Sequence, residues 1–198
     1  MKSGRGSDMI GWVRSHPARV LAISPLMLVA VLLIWSPYRG TPTRMIQESV
    51  EIQRACNRVW KYLGHSAHAG DWSVFVSHIT PLNTPRVRDG TLGSIRRSFQ
   101  KSDETGMRWD EYFEEVTPSR RRLRIYNMVG APLLGTTPIL SDQIYEPLGQ
   151  DRCRLTFTLF FGEEPSLGDA LKMRLASYPV ARIFRANIEN IRRLNETP

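Results

Sequence analysis

Apolar and polar residues alternate from Arg44 to Ile52, with Ile46, Val50 and Ile52 on one face, and this period of two predicts a strand. From Arg54 to Leu63 the period lengthens. Ala55, Val59, Trp60 and Leu63 recur at helical spacing, and Gly64 is a natural stop. His65–Trp72 is short and polar and reads as one more helical turn. Alternating or β-rich stretches follow at Val74–Thr80, Thr91–Gln100, Arg108–Val116, Arg121–Met128, Ile139–Glu146 and Arg152–Phe161. Turn signals separate them: Asp89-Gly90, Lys101–Gly106, Thr117-Pro118-Ser119 and Pro147–Asp151. After Pro165, the residues Leu171, Leu175, Tyr178, Ala181, Phe184, Ile188 and Ile191 recur at three- and four-residue steps among many charges. That is a long amphipathic helix, with a kink expected at Pro179. A long helix with one apolar stripe and a run of antiparallel strands with one apolar face cover each other, which predicts an α+β two-layer domain over 44–198.

The first forty residues follow another rule. Val20–Trp35 carries no charge, and extending it to Ala18 gives 18 residues, enough to meet the lower limit of about 17 for a membrane-spanning helix. The predicted organisation is a basic tail (1–17), a transmembrane helix (18–36), a linker (37–43) and the folded domain. A cleaved signal peptide shares the basic start and the apolar run, but WSPYRGTPT offers no small-x-small cleavage site. A buried core helix would carry more of a polar stripe than the single Ser24. Lys2, Arg5, Arg14 and Arg19 precede the uncharged run, against Arg39 and Arg44 after it. The positive-inside rule therefore puts the N-terminus in the cytoplasm and the domain outside, in the periplasm if the source is a bacterium.

Four stretches resemble a known family. Ala55-Cys56-Asn57-Arg58-Val59-Trp60 is similar to its first-helix start, and Gly93-Ser94-Ile95-Arg96-Arg97 to its third strand. Glu114-Glu115-Val116-Thr117-Pro118 with Arg120–Leu123 is similar to the strand-turn-strand that follows, and Tyr145-Glu146-Pro147-Leu148-Gly149 into Arg152–Leu159 to its last turn and strand. In this order, with a long helix last, they resemble the START-like helix-grip superfamily (SRPBCC), which includes polyketide cyclases, dehydratases and lipid-transfer domains. The resemblance implies a curved antiparallel sheet of about six or seven strands wrapped around the C-terminal helix, with an apolar ligand held between them. It does not fix the chemistry.

Parity sorts the hairpin Thr91–Val116 into two faces. Ile95, Arg97, Phe99, Trp109, Glu111 and Phe113 make the more apolar one and are assigned inward, which sets Arg97 opposite Glu111 as a pair on a greasy wall. The resemblance places the matching Arg and Glu at Arg96 and Glu114 instead. Ile125, Asn127, Gln143 and Tyr145 share parity with inward residues of their strands, and Phe157, Leu175 and Tyr178 complete the expected ligand-binding set. Met128–Thr137 is an apolar, Gly/Pro-rich connection suited to a cavity mouth.

Composition narrows the function classes. The net charge is +8, from 27 Lys+Arg against 19 Asp+Glu, which leaves nucleic acid, an anionic membrane or an acidic ligand as partners. The densest basic run, Arg120–Arg124, lies at a hairpin tip without interleaved aromatics and reads as a solvated edge, so nucleic acid is not expected. His65, His68 and His78 lack metal-ligand spacing, and no P-loop, GxGxxG or GxSxG occurs, so neither metal nor cofactor is expected. Cys56 and Cys153 read as buried inert thiols. The expectation is a membrane-anchored domain binding a hydrophobic small molecule or lipid. The alternatives are a cyclase- or dehydratase-like enzyme using Glu111, His78 or Tyr145 as acid or base, and a tethered interaction module without ligand.

Overall fold

The three apolar residues that alternate along β1 (Arg44–Ile52) are all buried, and they face the helix that ends the chain. The computed structural model describes residues 44–131, 139–160 and 167–196. The predicted tail (1–17), transmembrane helix (18–36) and linker (37–43) lie outside the described residues. Among the described residues no helix is long and apolar enough to cross a membrane.

After β1 come α1 (Cys56–Gly64), a 3-10 turn (Ser66–His68) and α2 (Ala69–Trp72). The strands β2 (His78–Pro81), β3 (Ile95–Phe99), β4 (Arg108–Thr117), β5 (Arg120–Val129), β6 (Ile139–Pro147) and β7 (Cys153–Phe160) follow, and then α3 (Leu167–Glu196). The strands form one antiparallel sheet in the order β1-β7-β6-β5-β4-β3-β2. Consecutive strands are neighbours throughout, except that β1 pairs with β7. The helix-grip arrangement anticipated from the resemblance is the one observed.

Two strands are shorter than the alternation predicts, because local side-chain bonds and turns capture their backbone. The Val74 N–H donates to Asn187 Oδ1, and the N–H groups of Phe75 and Val76 donate to Ser73 Oγ, so β2 begins only at His78. Ahead of β3, Thr91 and Ser94 close turns onto Arg88 and Thr91, with Gly93 at φ +79°. Ile52, Val59, Leu63, Trp72, Leu155, Phe157, Ile188 and Ile191 share one core in which α1, α2 and α3 lie on the sheet. Burying each large apolar side chain contributes roughly 1.5–3 kcal/mol.

Two expectations are corrected here. Cys56 and Cys153 are not separate thiols but a disulfide, with their Cα atoms 4.8 Å apart, joining the start of α1 to the start of β7. They lie 97 residues apart, so no local motif announces the bond. The arginine run is not a solvated edge either, because β5 lies inside the sheet between β4 and β6. Arg120 and Arg122 both donate to the buried Asp142, at 2.7 and 2.8 Å, and Arg124 pairs with Glu114. Arg121 points the other way and is 1 % exposed.

Candidate functional site: a donor-lined apolar cavity

Between the inner face of the sheet and α3 lies a cavity of about 360 Å³. Its apolar wall comes from Phe75, Val76 and Ile79 near β2, Trp109 on β4, Leu123, Ile125 and Met128 on β5, Ile139 on β6, Leu159 on β7, and Val180, Ile183 and Phe184 on α3. Arg96, Glu111, Ser73, Ser141, Gln143 and Asn187 are the polar residues in the lining. An apolar chamber with a few placed polar groups is the usual form of a small-molecule site.

The predicted parity holds on β4 and fails on β3. Trp109 and Glu111 line the cavity and Phe113 is buried beside it. Opposite them, however, Arg96 and Ser98 point inward. Arg97 turns to the other face, where its guanidinium grips Asp110 at 2.7 and 3.0 Å. Phe99, also assigned inward, stacks on His78 instead, with ring centroids 4.8 Å apart. The prediction failed because it turned the more apolar side of β3 to the cavity, whereas the side that faces the cavity carries a buried ion pair. The cross-strand pair is Arg96–Glu111, with Arg96 Nε donating to Glu111 Oε2 at 2.6 Å. Of the two residues indicated by the resemblance, Arg96 is the inward one, and Glu114 is taken by Arg124.

On β5 the parity is reset by a bulge. Asp110 pairs with Tyr126 and Arg108 with Val129, so β5 spends one residue more than β4 over this interval. Asn127 absorbs it at φ 51° and sends its amide to Asp110 on the outer face, over 2.9 Å. Asn127 is therefore not in the cavity. Ile125 and Met128 both are, although simple alternation would put them on opposite faces.

On α3 the lining residues are Ala176, Pro179, Val180, Ile183, Phe184 and Asn187. The stripe through Leu175 and Tyr178 is rotated off them: Leu175 is 61 % and Tyr178 83 % exposed. Phe157 lies in the core behind the wall, edge-on to Trp72 and Phe184. Of the connection Met128–Thr137, Met128 and Ala131 line the cavity, and residues 132–138 lie outside the described residues.

The polar groups form two networks. In the first, Glu111 accepts from Arg96 Nε, from Ser98 Oγ at 3.1 Å and from Trp109 Nε1 at 2.8 Å, while the Arg96 guanidinium lies over the Phe113 ring at 4.7 Å. In the second, Arg121 Nη1 donates to Tyr145 Oη, and Tyr145 donates onward to Gln143 Oε1, each over 2.8 Å. Gln143 lines the cavity, and Tyr145 stands behind it in the core. Arg121 also donates to the Trp60 carbonyl at 2.6 Å and lies 3.9 Å from the Trp60 ring centre. A Cβ at Gly64 would run into this guanidinium, so glycine is needed there for space. Burial holds the Arg121 pKa below its ordinary value, with Tyr145 acting the other way. Burial likewise pushes the Tyr145 phenol up to about 12, against the pull of Arg121. On the outer face burial tends to raise Asp110, yet hydrogen bonds from Arg97 and Asn127 hold it below the usual carboxylate range.

Sequence reasoning missed Arg96, Arg121, Ser141 and Asn187 as inward polar groups. The resemblance signalled Arg96; Ser141 shares the parity of Ile139 and Gln143 and Arg121 that of Leu123 and Ile125, so the alternation could have found both, whereas no strand alternation reaches Asn187. Among the described residues no group of three or more His, Cys, Asp or Glu could hold a metal.

The sequence profile of a family described as polyketide cyclase / dehydrase and lipid transport matches residues 43–196. No curated protein matches the chain. Among solved structures, norcoclaurine synthase from Thalictrum flavum, held with dopamine and hydroxybenzaldehyde, is 16 % identical, with a TM-score of 0.55 over 78 % of this chain and 86 % of that one. The protein XoxI from Bacillus cereus is 16 % identical at TM-score 0.55, covering 77 % of this chain and 95 % of that one. Major latex-like protein 151 from Panax ginseng is 10 % identical at TM-score 0.58, covering 80 % of this chain and 100 % of that one. At these identities the likeness carries the fold alone.

Proposed function

The chain belongs to the polyketide cyclase / dehydrase and lipid transport family, in the START-like superfamily, and from that premise we propose that it is a membrane-anchored domain that binds a hydrophobic small molecule or lipid in its cavity. The observation that carries this reading is the 360 Å³ chamber itself, apolar on every strand from β4 to β7 and on α3. Filling it with an apolar ligand removes two apolar surfaces from water at once.

The anchor is the uncharged run ending at Trp35, and it would hold the domain where apolar ligands concentrate. The Cys56–Cys153 bond supports the outward orientation proposed from the basic N-terminus, because disulfides persist in oxidising compartments. Fractionation of cells expressing the full chain tests this. The chain should stay in alkali-washed membranes, and protease added from the outer side should digest the domain. A chain released by the wash, or protected from that protease, contradicts the reading.

Binding is preferred to turnover because the acid and base candidates among the described residues, Glu111, Tyr145 and His78, are engaged or turned away. Both Glu111 oxygens already accept hydrogen bonds, the Tyr145 hydroxyl is committed to Gln143, and His78 sits on the outer face. A basic docking stripe is not favoured either, since Arg120, Arg122 and Arg124 each hold a carboxylate.

A further inference from the structure

The cavity's polar atoms are nearly all of one kind. Apart from the Ser141 hydroxyl, which can donate or accept, the side-chain oxygens of the lining are already engaged: Glu111 accepts from three donors, Gln143 Oε1 from Tyr145, Asn187 Oδ1 from the Val74 N–H, and Ser73 Oγ from Phe75 and Val76. What remains is donors. Tyr145 accepts from Arg121 and so gives its own proton to Gln143, which fixes the carbonyl side of that amide and leaves its NH₂ over. The Val74 N–H fixes Asn187 in the same way. Among the described residues no acceptor meets Gln143 Nε2, Asn187 Nδ2 or the two Nη atoms of Arg96. Trp72, also in the lining, has in Nε1 a buried donor with no partner among the described residues.

The charge is equally one-sided. Two buried guanidiniums, Arg96 and Arg121, face inward, and among the described residues Glu111 is the buried carboxylate paired on that side, with Arg96. The other buried carboxylates, Asp110 and Asp142, are taken by Arg97, Arg120 and Arg122 on the opposite face. Burial costs the Arg121 cation more than Tyr145 and the Asp89 carboxylate return, and the Arg96 charge adds to that cost.

We infer that the cavity takes an apolar ligand that ends in an anionic hydrogen-bond acceptor, a carboxylate, with its head at the Arg96 guanidinium. This rests on the reading of the cavity as a ligand site and adds the chemistry of the head. A carboxylate supplies the acceptors that the unpartnered donors lack, and its charge offsets the surplus guanidinium in a medium where such charges interact strongly. An alcohol supplies a weaker acceptor and no charge. An amine meets cations and finds no free carboxylate.

The full chain in nanodiscs of neutral lipid, offered radiolabelled dodecanoate, dodecanol or dodecylamine, tests the inference, with protein-free nanodiscs giving the bilayer's own uptake. Dodecanoate should bind at least about tenfold tighter than dodecanol, and dodecylamine should show no uptake above the blank. Equal affinity for all three overturns the head-group inference and leaves ligand binding standing, whereas no uptake of any overturns both. The double variant Arg96→Met with Glu111→Gln removes the pair without stranding a charge. It should lose the tenfold preference, and a retained preference overturns the role given to Arg96. The ranking on the unmodified chain decides the matter even where that variant fails to fold.

Discussion

Arg121 donates from Nη1 to the hydroxyl of Tyr145 over 2.8 Å, in a core where neither side chain is more than 1 % exposed. Among the described residues no carboxylate pairs with this guanidinium; a phenol, a backbone carbonyl and an indole face stand in its place. The relationship is asymmetric, because removing the acceptor leaves a buried cation, whereas removing the cation leaves a neutral hydroxyl.

Tyr145→Phe should therefore destabilise the domain by about 1–3 kcal/mol, the cost of an unsatisfied buried donor. Arg121→Met, which fills similar space without charge, should cost less than Tyr145→Phe despite the larger chemical change. Urea denaturation of the two variants against the unmodified chain gives the order.

The same phenol predicts an alkaline limit. Its folded pKa of about 12 lies above its ordinary value of 10.0, so the folded state favours the neutral form. That contribution is fully present below pH of about 10 and is lost as the pH rises through about 12. Unfolding followed against pH should show a shallower alkaline decline in Tyr145→Phe than in the unmodified chain.

The disulfide closes a loop of 97 residues, and a bond over so long a loop is worth about 2–5 kcal/mol. Reduction, or replacement of both cysteines by serine, should lower the unfolding midpoint accordingly. Thiol titration of the unreduced, denatured chain should find no free thiol, since the sequence holds only Cys56 and Cys153.

At Asn127 the left-handed backbone should separate two substitutions. Asn127→Gly keeps the conformation open and loses only the bond to Asp110. Asn127→Val also forces a β-branched side chain into that region, at a further cost of roughly 1–2 kcal/mol. Equal melting points for the two variants would contradict the bulge assignment.

The sheet was largely legible because β1, β4, β6 and β7 alternate cleanly, and their observed ends fall within a residue or so of the periodicity. The site was less legible because its polar residues break the rule that makes strands readable. Arg96 and Ser98 sit on the inner face of β3, so the apolar side was assigned to the cavity and Arg97 was exchanged for Arg96. One extra residue on β5 moved Asn127 out and Met128 in. On α3, Leu175 and Tyr178 looked like the inner stripe, yet the helix turns Ala176 and Val180 inward instead. The bond between Cys56 and Cys153 depends on α1 meeting β7, a contact that no local spacing encodes.

The central claim is that the cavity holds an apolar ligand, and native mass spectrometry of the full chain purified in mild detergent tests it most directly. The account predicts a second species heavier by one small apolar molecule per chain, recovered by organic extraction and lost when Ala176→Trp fills the cavity. A single bare-chain mass that no added apolar probe shifts, from a protein that still melts cooperatively, would contradict it.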